Sequence, residues 1–190
     1  YHMGARNLAL FLDRVAATFP NPARVYLVGD SAGGFGSALN LWRVRRAFPR
    51  ARVDVVDDSG QPIDPAAGRW SSWTANWGLE LPPDCSDCGE SVDRFTAYYR
   101  RRYPDTRFAL FSYSHDAVIS TFMGLDAFTF NRRLNDFLDR ADREWPSARY
   151  YVSPGALHVG FAAPPLLPTP GFIAWLGQMV NDDPTWRSRR

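Results

Sequence analysis

The chain has 190 residues, 45% hydrophobic and 22% charged. These are the proportions of one packed globular domain, not of a disordered tail, a collagen-like repeat or a coiled coil. The formal net charge of +2 is too small to point to nucleic acid or an anionic surface, and no apolar run approaches the ~18 residues of a membrane span. All 22 basic residues are arginine, which reads as the mark of a GC-rich coding genome rather than as a binding signal. Composition says nothing about oligomeric state.

The chain opens at Tyr1-His2-Met3-Gly4 with no initiator and no signal peptide, and an amphipathic helix begins within a few residues. This is the pattern expected of a chain whose beginning is missing. From there a punctuation recurs. Phe19-Pro20 precedes Arg24, Phe48-Pro49 precedes Arg52, Tyr103-Pro104 precedes Arg107, and Trp145-Pro146 precedes Arg149. Proline cannot continue a helix and biases the residue before it away from helical geometry. Each pair therefore predicts a helix stop and a short loop into a strand.

The flanking segments agree. Leu8, Phe11, Leu12, Val15 and Phe19 recur at helical spacing, as do Phe130 to Trp145 and Phe172 to Val180. The runs Val25–Val28, Val53–Val56, Phe108–Phe111 and Tyr150–Val152 are short and apolar. Apolar strands alternating with helices predict a parallel sheet covered on both faces. Such a sheet binds ligands along the edge holding its strand C-termini. That edge should gather Asp30-Ser31, Asp57-Asp58, Ser114-His115-Asp116 and the loop around His158.

Gly29-Asp30-Ser31-Ala32-Gly33 matches G-x-S-x-G, and it lies between a predicted strand and a predicted helix, as a nucleophile elbow requires. No lysine follows, which excludes a phosphate-binding loop. A serine needs a base. His158 follows the last predicted strand, where an α/β hydrolase carries that base, and His115 is the rival. The base needs a carboxylate. Asp116 gives the order Ser31, Asp116, His158, while Asp58, and less so Asp57, are rivals after the second strand. Asp57-Asp58-Ser59-Gly60 also reads as a plain turn.

These blocks resemble a family. Val28-Gly29-Asp30-Ser31-Ala32-Gly33-Gly34, Asp57-Asp58-Ser59-Gly60 and Tyr113-Ser114-His115-Asp116 are similar to segments of pectin acetylesterases and the related Notum carboxylesterases. The resemblance implies an α/β fold: a three-layer α/β-hydrolase-like parallel sheet, its N-terminal strands missing, with residues 1–190 forming a single domain that is the C-terminal portion of the whole. It implies a Ser31, Asp116, His158 triad with the Ala32 N–H as one oxyanion donor, and no metal or organic cofactor. It also implies a secreted or periplasmic protein whose substrate is a short acyl ester on a polysaccharide. A lipid or protein acyl ester, or a binding domain that keeps the fold without catalysis, are the alternatives.

Residues 61–91 break the pattern, with four prolines, three tryptophans and both cysteines. A segment this long after a strand end suggests a lid. Trp73 and Trp77, with His115, are candidate substrate contacts, although large aromatics anchor packing wherever they fall. Cys85 and Cys88 suit a local disulfide better than a metal site.

Overall fold

The computed structural model describes residues 2–161 and 168–190. Its elements run α1 (Gly4–Thr18), β1 (Arg24–Asp30), α2 (Ala32–Ala47), β2 (Arg52–Asp58), α3 (Arg69–Trp77) and α4 (Val92–Arg102). They continue with β3 (Phe108–Tyr113), α5 (Ala117–Met123), α6 (Ala127–Glu144), β4 (Ala148–Ser153) and α7 (Phe172–Val180). The four strands form one parallel sheet in the order β1-β2-β3-β4.

The aromatic-proline pairs work as the sequence predicts. Phe19, Phe48, Tyr103 and Trp145 are the C-caps of α1, α2, α4 and α6. All four hold φ between −124° and −133° with ψ between 60° and 75°. The proline that follows each one excludes the helical region, so four helices end on the same backbone shape. The arginine that follows has a structural use. Arg24, Arg52 and Arg107 lie at the N-terminal edge of the sheet and converge on the buried carboxylate of Asp54, and all three also pair with Asp182 just beyond α7. Arg107 and Arg149 both lie over the Trp186 ring. The C-terminal segment is thereby tied to the edge opposite the candidate site.

Strand side chains alternate between two cores, as the pleat demands. Val53, Val55, Phe108, Leu110 and Tyr150 face a large core shared with α2, α3, α4, α5 and α6. Val56, Ala109, Phe111 and Tyr113 face a smaller core closed by Phe172, Trp175 and Met179 of α7 and by Trp186. Helices thus cover both faces. Residues 61–91 contribute α3, and Trp70, Trp73, Cys85 and Cys88 are buried in the large core. By contrast α1 buries no residue fully, and Leu10, Phe11 and Phe19 are exposed. Among the described residues no helix is long and apolar enough to cross a membrane.

Close packing of α2 on the strand ends depends on particular glycines. A Cβ on Gly60 would collide with the backbone of Gly34 and Phe35, whereas a Cβ on Gly33 meets nothing within 4 Å. Gly60→Ala should therefore lose about 1–3 kcal/mol, the usual scale of overpacking. Gly33→Ala should match or exceed the parent, because alanine gains up to ~1 kcal/mol over glycine in a helix. Urea denaturation of the two variants checks the contrast.

Candidate active site

Ser31 sits between β1 and α2 with φ 53° and ψ −122°. A non-glycine residue in that region is strained, and the strain lifts the hydroxyl clear of the turn. The sharp turn requires Gly29, where a Cβ would collide with the Gly33 carbonyl. The second glycine of the motif, Gly33, carries no such demand. The Ser31 N–H donates to the Asp58 carbonyl at 2.7 Å, which pins the elbow to the end of β2.

The parallel register carries the other two groups to the same place. His158 follows β4, and its Nε2 accepts from the Ser31 hydroxyl at 2.7 Å. Its Nδ1 donates to Asp116 Oδ2 at 2.8 Å. A carboxylate accepts only, so it fixes the proton on Nδ1 and leaves Nε2 free to take one. Asp116 is fully buried at the N-terminus of α5, and its Oδ1 accepts the Val118 and Ile119 N–H groups. One carboxylate thus caps a helix with one oxygen and orients an imidazole with the other. The Ala32 N–H, in the first turn of α2, has no acceptor within its own helix and belongs to the residue that follows Ser31.

The remaining predicted residues fall elsewhere. The Asp58 carboxylate accepts from the Gly160 and Phe161 N–H groups at 2.7–2.9 Å, not from His158. Burial raises the Asp58 carboxyl above its ordinary range, and those N–H groups and the Ser59 hydroxyl pull it back down. Asp57 accepts the Gly60 N–H at 2.8 Å, and its Oδ2 has no partner among the described residues. Burial pushes the Asp57 carboxyl up to about 8, opposed by the Gly60 N–H and assisted by the charge of Asp58. His115 is exposed and meets the Ser114 hydroxyl at 2.9 Å, away from His158.

A cavity of about 610 Å³ opens beside Ser31. Ser31, Ala32, Phe35, Gly36, Leu39, Asn40 and Arg43 line it as one stripe along α2. At 1.5 Å per residue the stripe runs roughly 18 Å from Ser31. Trp77, Leu79, Val118, Ile119 and Phe122 form the facing wall, and His2, Gly4 and Ala5 reach it from the N-terminal end. Trp73 does not line the cavity but stacks on two members of that wall, Trp77 at 5.1 Å and Phe122 at 4.7 Å. The pairing of residues 31/32, 35/36 and 39/40 is present in the sequence at helical spacing, but apolar residues at that spacing do not distinguish a cavity wall from a core face. Cys85 and Cys88 form a disulfide; with Asp87 nearby they resemble a ligand cluster, but the disulfide occupies both sulfurs.

The sequence matches no protein-family model and no curated protein. Its fold does have solved counterparts. One crystal form of the Wnt deacylase Notum from Drosophila superposes with a TM-score of 0.58 at 19% identity, over 99% of this chain and 62% of that one. A second crystal form gives 0.49 at 21% identity, over 81% and 52%. The chain thus has the α/β-hydrolase-like fold of that deacylase and spans 62% of its length.

The buried acid next to the site gives a pH signature. The folded protein holds a proton on Asp57 up to about pH 8, whereas an unfolded chain releases it near the ordinary carboxylate pKa of about 4. Stability from this group is therefore complete at low pH and is lost as pH rises through about 8. Asp57→Asn keeps the neutral shape and removes the titration. From pH 5 to pH 9 the urea midpoint of the parent should fall more than that of Asp57→Asn, and equal falls would contradict the assignment.

Proposed function

We propose that the protein is a serine ester hydrolase acting on acyl esters. The observation that carries this reading is the unbroken hydrogen-bond chain from Ser31 through His158 to Asp116 at the mouth of an apolar cavity. The fold of a deacylase supports it. In the reaction, the Ser31 Oγ attacks the ester carbonyl as its proton passes to His158 Nε2, and the carbonyl electron pair moves onto oxygen. The Ala32 N–H and the N-terminus of α2 favour that negative charge. The intermediate expels the alcohol, which takes the proton from His158. Water, deprotonated by the same Nε2, then attacks the acyl-Ser31 ester and releases the carboxylic acid.

The cavity bears on the acyl group. An acetyl methyl would leave most of an apolar volume of about 610 Å³ unfilled, whereas a longer chain lying along α2 gains burial energy of ~0.8 kcal/mol per methylene. A medium or long acyl chain therefore fits better than the acetyl group that the sequence resemblance implies. The Cys85–Cys88 disulfide suits a secreted or periplasmic protein, since such bonds persist in oxidising compartments.

Two tests follow. Ser31→Ala should abolish hydrolysis of p-nitrophenyl esters, a loss of up to ~10⁶ in kcat, and Asp116→Asn should cost ~10⁴. Retained turnover in Ser31→Ala would sink the reading, and a parent without turnover would favour a binding domain. Gly36 lines the cavity with open space where its Cβ would stand. Gly36→Phe should therefore cut kcat/KM for the octanoyl ester by roughly tenfold or more, given 1–3 kcal/mol for a misfit in an apolar pocket, while leaving the acetyl ester nearly unchanged.

A further inference from the structure

Asp58 is a fully buried carboxylate beside the proposed triad but outside it. Its contacts divide between two loops. Through its main chain, the Asp58 carbonyl accepts the Ser31 N–H at 2.7 Å. Through its side chain, it accepts the Gly160 N–H on both oxygens, at 2.8 and 2.9 Å, and the Phe161 N–H at 2.7 Å. The next residue extends the seat. The Ser59 hydroxyl donates to Asp58 Oδ1 at 2.9 Å and accepts the Val159 N–H at 3.2 Å. Three successive N–H groups immediately after His158 thus end on one carboxylate and its neighbouring hydroxyl.

The backbone needs this help. Val159 has φ 60° and Ser59 has φ 61°. A β-branched residue in the left-handed region is a true outlier that persists only where its surroundings hold it. Charge-assisted hydrogen bonds are the stronger kind, and here they hold Gly160 and Phe161, while the Ser59 hydroxyl holds Val159 itself. A relaxed Val159 would swing the imidazole away from Ser31.

We infer that Asp58 is the positioning residue of the site, bracing nucleophile and base against each other: its main chain fixes the Ser31 elbow and its carboxylate fixes the strained loop carrying His158. This rests on the serine-hydrolase reading, and it differs from Asp58 acting as the triad acid. Near-attack geometry is lost steeply with displacement, and a shift of about 1 Å costs on the order of 100-fold.

The test compares the parent with Asp58→Asn and Ser59→Ala in the whole chain. Asparagine keeps one acceptor but turns an NH₂ toward the N–H groups that the carboxylate receives. For the p-nitrophenyl butyrate ester, Asp58→Asn should lower kcat by about 10- to 100-fold with KM held within about threefold. Ser59→Ala should move kcat the same way by less, and it reads the brace should Asp58→Asn fail to fold. In ¹⁵N-histidine-labelled protein, the Nδ1–H of His158 should exchange with water faster in both variants than in the parent. That signal needs no turnover, so an inactive parent would defeat the hydrolase reading while the brace is still read from the imidazole. Folded variants with the parent's kcat and the parent's Nδ1–H exchange would overturn the inference, as would a ~10⁴ loss in Asp58→Asn with little loss in Asp116→Asn, the mark of an acid.

Discussion

Parallel register is the constraint on which the rest of the molecule depends. β1 and β2 pair residue for residue from Arg24 with Arg52 to Asp30 with Asp58, and β3 and β4 pair from Phe108 with Ala148 to Tyr113 with Ser153. Within each of these pairs the strands begin and end together, while β3 starts opposite Val55 and so ends two residues beyond β2. Arginines collect at the beginning and bind Asp54 and Asp182. Ser31, Asp58, Asp116 and His158 collect at the end. A shift of one residue between neighbouring strands would turn side chains to the opposite face, sending Phe111 toward the wrong core and separating the serine from its histidine.

Strain is concentrated at that same end. Ser31, Ser59 and Val159 all have positive φ, and each is fixed by hydrogen bonds from a neighbouring strand end. The elbow aims a hydroxyl, the Ser59 turn offers a hydroxyl acceptor, and the Val159 turn presents an imidazole. Such conformations cost of order 1–3 kcal/mol each, and the two well-packed cores on either side of the sheet offset that cost. The cavity is the other consequence of placing α2 here. Ser31 caps its N-terminus and its first three turns supply one wall of the cavity, so the proposed nucleophile and the proposed acyl site share a single helix.

Much of this was legible in the sequence. The four aromatic-proline stops, the four strands and the elbow all arise from local chemistry, in which proline, glycine and apolar periodicity leave few options. Chain order and the family resemblance favoured Asp116 as the partner of His158, but the sequence left Asp58 standing as a rival. Both acids follow strands, and only the loop geometry shows the Asp58 oxygens turned toward Gly160 and Phe161. The cavity was also hidden, because Phe35, Leu39 and Phe122 have the same composition whether they line a core or a pocket. The role of the strand-opening arginines was out of reach for a similar reason: their partner Asp182 lies more than 70 residues from the nearest of them.

The central claim is that His158 activates Ser31. Its most direct measurement is the rate at which a fluorophosphonate modifies the protein, followed by intact mass and peptide mapping. The account predicts a single adduct on Ser31, formed slowly or not at all when His158 is replaced by alanine. An adduct on another residue, or Ser31 labelling at the parent's rate in His158→Ala, would contradict it.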